Sequence, residues 1–262
     1  MGLDPKLVVE RDGKLSATIN GCEIAAAAGR IEDFPATVQT VVVLPCNEYF
    51  DDQCAYDTRS ALGAYVNKVF PGKTDDFISL VKGECAKNLG TGTERQKRER
   101  ERAISFGPGR ALLIQNALGS DVPIALVSTT TQRAGQGLVA KSSFLFEGMY
   151  ELVTRLVDER LNQVVMPILG AGHGGMDPAT AFVSLVLALA EAIRYVPGPQ
   201  RSPQNRPMAV TPKPANENAI RTSHICTLAR AISARVNFES MVTGSGAEPR
   251  QRVEFLPGPE RG

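Results

Sequence analysis

Histidine is scarce in this chain: of its 262 residues only His173 and His224 are histidines. Structural and catalytic zinc sites draw on clustered His and Cys ligands, so no metal centre is expected. The five cysteines, Cys22, Cys46, Cys54, Cys85 and Cys226, form no C-x-x-C pair, and their odd number does not suit a disulfide framework. They read as reduced, mostly buried thiols of a cytosolic protein. An excess of one charge is also missing. Lys+Arg 29 against Asp+Glu 28 leave a formal net charge of +1, so nothing suggests the basic face of a nucleic-acid binder. The densest charged run, Glu94 to Arg102, alternates signs and reads as a solvated helix or loop face. No stretch reaches the roughly 18 apolar residues of a membrane span, and no signal peptide is visible. The expectation is a cytoplasmic chain with no membrane segment of its own, either free-standing or the cytosolic part of a membrane-anchored protein.

What is present is an ordinary globular composition, 43% hydrophobic and 22% charged, with length enough for a sizeable core. Leu7 to Ile19 alternates around Asp12-Gly13, a hairpin signal. A polar and alanine-rich connection leads to Val38–Pro45, a β-branched run typical of a strand buried on both faces. Helical spacing covers Ser60–Val69, Thr74–Leu89 and Ser142–Arg160, and buried strands are read at 110–114, 123–128 and 163–166. This alternation predicts an α/β layered sheet. The division it suggests is a core over 1–195, a Pro-rich loop over 196–218, a C-terminal helix over 219–243 packing on the core, and a flexible tail over 244–262.

The most informative stretch follows the strand at 163–166: Pro167-Ile168-Leu169-Gly170-Ala171-Gly172-His173-Gly174-Gly175-Met176-Asp177-Pro178. Asp177 suits an N-cap and Pro178 the first helical position, so a helix starts where the glycines end. Glycines leading into a helix N-terminus leave N–H groups free to meet a phosphate. A tight strand-to-helix turn is the plainer alternative. Gly170, Gly172 and Gly175 formally satisfy G-x-G-x-x-G, but a dinucleotide fold carries that pattern after its first strand, with an acid closing the second strand about 20 residues on. Here Glu191 falls inside a helix, so a dehydrogenase is disfavoured. A P-loop fails because no Lys-Ser or Lys-Thr follows the glycines.

A second segment of interest runs from Asn47 to Gly63, at the carboxyl end of a buried strand, where open α/β sheets bind ligands. Asn47 could offer its amide to ribose hydroxyls; a plain turn role is the other reading. Ser60, Ala61, Leu62 and Gly63 open a helix and supply a second set of free N–H groups. Two such starts could clamp a diphosphate from opposite sides.

These segments, together with Leu126–Gly137, resemble a macro domain, the ADP-ribose-binding module, and more narrowly the macro domains of bacterial Thoeris anti-phage effectors. The likeness covers roughly residues 15–195. It implies a three-layer α/β/α sandwich around a mixed sheet, here with a C-terminal helical extension. It also implies that Gly170, Ala171, Gly172, His173, Gly174, Gly175 and Met176, with Ser60, Ala61, Leu62 and Gly63, hold the diphosphate. Asn47, Tyr49 and Asp57 would meet the distal ribose and any group attached to it. A family Gly-Asp-Ile segment that binds adenine would correspond to Gly21-Cys22-Glu23-Ile24, giving Glu23 and Ile24 as adenine contacts.

The family's Gly-Gly-Gly loop after the Asn is replaced by the acidic Glu48–Asp57 stretch, which argues against de-ADP-ribosylation. The resemblance therefore implies a binding module without catalytic residues or cofactor. It would sense an ADP-ribose-derived signal that a TIR-domain enzyme makes from NAD. The signal would be an amino-acid conjugate or a cyclic form of ADP-ribose, and Glu48, Asp51, Asp52 and Asp57 would suit a conjugate bearing a cationic or hydrogen-bonding group. Self-association on binding would suit a sensor. The alternative is an ADP-ribosyl hydrolase that orients water with Asp51, Asp52 or Asp57.

Overall fold

The two arms of the expected hairpin are strands: β1 (Leu7–Val9) and β2 (Leu15–Ile19) pair antiparallel, Leu7 opposite Ala17. The computed structural model describes residues 7–9, 15–19, 22–51, 53–133, 135, 137–196 and 225–230, so the Asp12-Gly13 turn, the 196–218 loop beyond Val196 and the 244–262 tail lie outside it. The alanine-rich segment, expected as a connection, is a strand, β3 (Cys22–Ala28), antiparallel to β2. Alanine has little strand preference of its own; pairing on both edges and burial of Cys22, Ile24 and Ala25 decide its state.

The β-branched run becomes β4 (Thr40–Asn47), buried almost throughout. After a short helix, α1 (Gln53–Tyr56), come α2 (Ala61–Val69) and α3 (Thr74–Asn88), close to the helices expected there. The charged run is the next departure. It forms a separate two-stranded sheet, β5 (Thr93–Arg98) against β6 (Glu101–Ser105), in place of a helix or loop face. Lys97 alone of β5 is buried, while Glu94, Arg95, Gln96 and Arg98 stay exposed. Then follow β7 (Ala111–Ile114), β8 (Ile124–Arg133), β9 (Gly137–Ala140), α4 (Ser142–Asp158), β10 (Gln163–Met166) and α5 (Pro178–Tyr195).

Of the helix expected over 219–243, the described part is a strand, β11 (Ile225–Arg230). Parallel partners on both edges, β3 and β10, override its helical spacing. The main sheet runs β1-β2-β3-β11-β10-β4-β8-β7, with β9 on β8. Its centre, β3 through β8, is parallel and its edges are antiparallel, a mixed sheet.

Two cores flank it. Val41, Val43, Val164 and Met166 pack with Leu145, Met149, Leu152, Leu185 and Leu189 of α4 and α5. Val42, Leu44, Leu126 and Val165 pack with Leu62, Val66, Phe77 and Val81 of α2 and α3. Alternate residues of β4 and β10 thus serve opposite layers, which is why these strands read as unbroken apolar runs. The result is the expected three-layer α/β/α sandwich. By length and composition α5, the last described helix, is apolar enough to cross a membrane, yet Ala181, Leu185, Ala188 and Leu189 are buried in the fold.

Candidate functional site

The parallel strands end on one side of the sheet, and the glycine loop leaves from the end of β10. Gly170 and Gly175 take φ of +84° and +71°, a conformation that favours glycine. A Cβ at Gly174 would come within 2.7 Å of Ala140 Cβ and 2.8 Å of the Gly170 carbonyl oxygen, so the loop lies tight on β9. Its own turns use two N–H groups: Gly175 donates to Gly172 and Met176 to Gly170. A Cβ at Gly172 would meet nothing within 4 Å. Asp177 caps α5 as expected, its side chain accepting from Thr180 N.

The facing rim is the start of α2. Ser60 is its N-cap, accepting from Gly63 N at 2.8 Å while its hydroxyl donates to the Cys54 carbonyl. That leaves the N–H groups of Ala61 and Leu62 as the first-turn donors without an intrahelical acceptor. Gly63 has no free donor. Its role is closeness: a Cβ there would collide with the Asp57 carbonyl.

Between the rims lies a cleft of about 380 Å³. Ser60 and Ala61 line it on one side, Gly170, Ala171, Gly172, His173 and Gly174 on the other. Pro45, Cys46, Thr129, Thr130 and Ile168 form its floor, and Cys54, Arg59 and Leu138 also border it. Leu62, Gly63, Gly175 and Met176 are not among its lining residues. Burial pushes the Cys54 thiol up to about 11 and the Cys46 thiol well above its ordinary value, so neither offers a thiolate nucleophile. Among the described residues, Cys46, Cys54 and Cys85 form no disulfide.

Several expected ligand contacts are elsewhere. Asn47 is 1% exposed, its amide nitrogen donating to Asp51 and its oxygen accepting from Tyr49 N. Having closed its own turn, it does not line the cleft. Tyr49 is buried and donates to the Gln132 carbonyl. The acidic stretch is neutralised from within. Glu48 is buried and accepts from Ser105 Oγ at 2.5 Å and Gln132 N at 3.1 Å, with Arg95 at 3.4 Å. Asp51 pairs with Lys97, which also reaches Glu101 and lies over the Tyr49 ring. Asp52 is outside the described residues. The β5–β6 hairpin therefore seals the turn after β4, and the suggestion of a cation-seeking acidic surface fails for Glu48 and Asp51.

The adenine assignment is also displaced. Register places Glu23 level with Ile225, Gln163 and Thr40, at the starts of the parallel strands. That row lies roughly 10 Å short of Met166, beyond which the cleft opens, and Ile24 is in the core. The carboxyl end of β3 leads into Gly29-Arg30-Ile31. Arg30 Nε donates to Glu32 at 2.6 Å.

Asp57 sits at the rim. Its Oδ1 accepts from Arg59 N and Nε, and its Oδ2 from Arg59 Nη2 at 3.0 Å. The same Oδ2 is 3.2 Å from His173 Nε2. Hydrogen bonding by the Arg59 side chain and backbone, with a smaller contribution from His173, holds Asp57 at about 2. Sequence reasoning missed Arg59, since a lone arginine among loop acids carries no pattern.

The three-layer architecture, with a cleft at the ends of its parallel strands, matches the fold of macrodomains of known structure. The chain has that fold. It is similar to a mutant of the Oceanobacillus iheyensis macrodomain with ADPR, with a TM-score of 0.54 at 9% identity over 84% of this chain and 90% of that one. It is also similar to the same macrodomain with ADP, with a TM-score of 0.52 at 9% identity over 83% and 87% of the two chains. At this identity the likeness is one of fold. No protein-family model and no curated protein matches the sequence.

Proposed function

We propose that the cleft binds an ADP-ribose-type nucleotide by its diphosphate, and that the chain is the sensing module of an anti-phage defence effector. The signal would be made from NAD by a TIR-domain enzyme, as the resemblance to Thoeris macro domains suggests. The observation that carries the binding reading is the convergence of a glycine loop and a capped helix start, from different layers, on one cleft. The similar structures holding ADPR and ADP lend it support. Binding is favoured over hydrolysis because Asp57, held at about 2, is a poor proton acceptor near neutral pH, and Asp51 is committed to Asn47 and Lys97.

The test is a melting-temperature panel with ADP-ribose, its cyclic isomers, amino-acid conjugates and NAD, run on the wild type and on Gly172→Glu. A ligand that binds only the folded state raises the melting temperature by mass action. At least one ADP-ribose derivative is expected to raise it in the wild type and none in Gly172→Glu, whose carboxylate would enter the phosphate space. Release of free ADP-ribose from an ADP-ribosylated protein would refute the sensor assignment in favour of the hydrolase.

A further inference from the structure

Arg59 and His173 stand on opposite rims of the cleft, and both line it. Both are turned to one carboxylate, Asp57: the guanidinium by two side-chain hydrogen bonds and the imidazole by a 3.2 Å contact. Asp57 itself does not line the cleft. It lies beside Arg59 in sequence, on the connection between α1 and α2, where its carbonyl closes a turn with Ser60 N at 2.8 Å. We propose that Asp57 is an internal stand-in for the ligand's diphosphate. Asp57 holds Arg59 and His173, and on binding the diphosphate takes over the Arg59 fork and the His173 donor, closing the two rims on itself.

This rests on the diphosphate reading above and adds the residue that supplies its charge recognition. The glycine loop and the helix start offer only backbone dipoles, which meet a single anionic group well. A guanidinium has the planar, two-pronged geometry that matches phosphate oxygens, so Arg59 would span oxygens of both phosphates, a spacing that a single phosphate does not offer. The Asp57–Arg59 pair is the weak kind that can be exchanged: the Arg59 side chain is 85% exposed, and exposed ion pairs contribute little to stability. Asp57 also opposes the ligand, both by repulsion and by holding its partner cations. Removing its charge should strengthen binding, the opposite of what a direct ligand contact would give.

Calorimetric titration with ADP-ribose and with AMP, on the wild type, Arg59→Met, Asp57→Asn and Gly172→Glu, tests this. Arg59→Met is expected to weaken ADP-ribose about tenfold, or about 1.4 kcal/mol, while changing AMP much less. Asp57→Asn should tighten ADP-ribose severalfold. Unliganded melting temperatures identify any variant that has lost its fold; Arg59→Lys, which keeps charge but loses the fork, then serves as the second probe and should recover only part of the affinity. If Gly172→Glu abolishes binding while Arg59→Met leaves it unchanged, the clamp is wrong and the cleft reading stands. Weaker binding by Asp57→Asn makes Asp57 a direct contact and also overturns the clamp. If the wild type binds only a cyclic isomer or an amino-acid conjugate, the same variants are titrated with that compound, and a wild type that binds none of these overturns both readings.

Discussion

The two rims contain glycines that serve different ends, and substitution separates them. Gly172 faces open space and its φ lies outside the left-handed region. Gly172→Ala should leave denaturant unfolding unchanged while lowering ligand affinity, because the methyl group enters the cleft. Gly63 is boxed in by the Asp57 and Cys54 carbonyls. Gly63→Ala should cost about 1–3 kcal/mol of stability, the usual penalty of overpacking. It should also weaken binding, by pushing the Asp57–Ser60 turn out of place. Equal unfolding midpoints for the two variants would contradict this division. Both glycines looked alike in the sequence, since a motif records that a side chain is absent and says nothing of what would collide with one. Asn47 shows the same limit: its position at a strand end was legible, but the Asx turn that consumes its amide was not.

The β5–β6 hairpin is the element the sequence concealed most. The run has almost no apolar residues to mark an inner face, and the one buried position of β5, Lys97, is itself charged, so polarity masked the strand. The inner face is polar: Lys97 pairs with Asp51, and Ser105 and Arg95 reach the buried Glu48. Burial opposes the charge on Lys97, but hydrogen bonding and attraction to Asp51 and Glu101 outweigh it, and its pKa lies above the ordinary 10.5. Lys97→Met would leave Asp51 without its cation in a mostly buried setting, at a cost of about 2–4 kcal/mol in unfolding free energy. Arg98→Ala, on the exposed face, should cost under about 1 kcal/mol. The pH dependence has a definite sign. A pKa raised by folding gives stability that is fully present below the unfolded value and fades as pH rises through the folded one. The gap between wild type and Lys97→Met should therefore hold from neutral pH to about 10 and shrink only in stronger alkali. A gap that closes between pH 6 and 8 would assign the effect to another group.

Across the whole molecule, order and layering were the most legible features, because β4, β8 and β10 are buried on both faces and announce it by continuous apolar runs. Residues whose state depends on distant partners were not legible. β3 is a strand because β2 and β11 flank it, and Glu23 fell at the wrong end of the sheet because sequence alone does not give register. That architecture makes a prediction about cooperativity. The glycine loop is anchored to the layer of α4 and α5, and the Ser60 rim to the layer of α2 and α3, so a ligand held by both rims ties the two cores across the sheet. At a hundred times its Kd a ligand adds about 2.7 kcal/mol to the folded state, and for a chain of this size that corresponds to roughly 5–10 °C in Tm. Because each rim is fixed to a different core, the shift should appear in the unfolding of the whole domain as one transition, and both Gly172→Glu and Ser60→Ala should reduce it. Ser60→Ala alone should lower unliganded stability by about 1 kcal/mol through loss of the α2 cap. Calorimetric scans that split into two transitions with ligand, only one of them shifted, would mean that the nucleotide is held by a single layer and that the cleft is not a two-sided clamp.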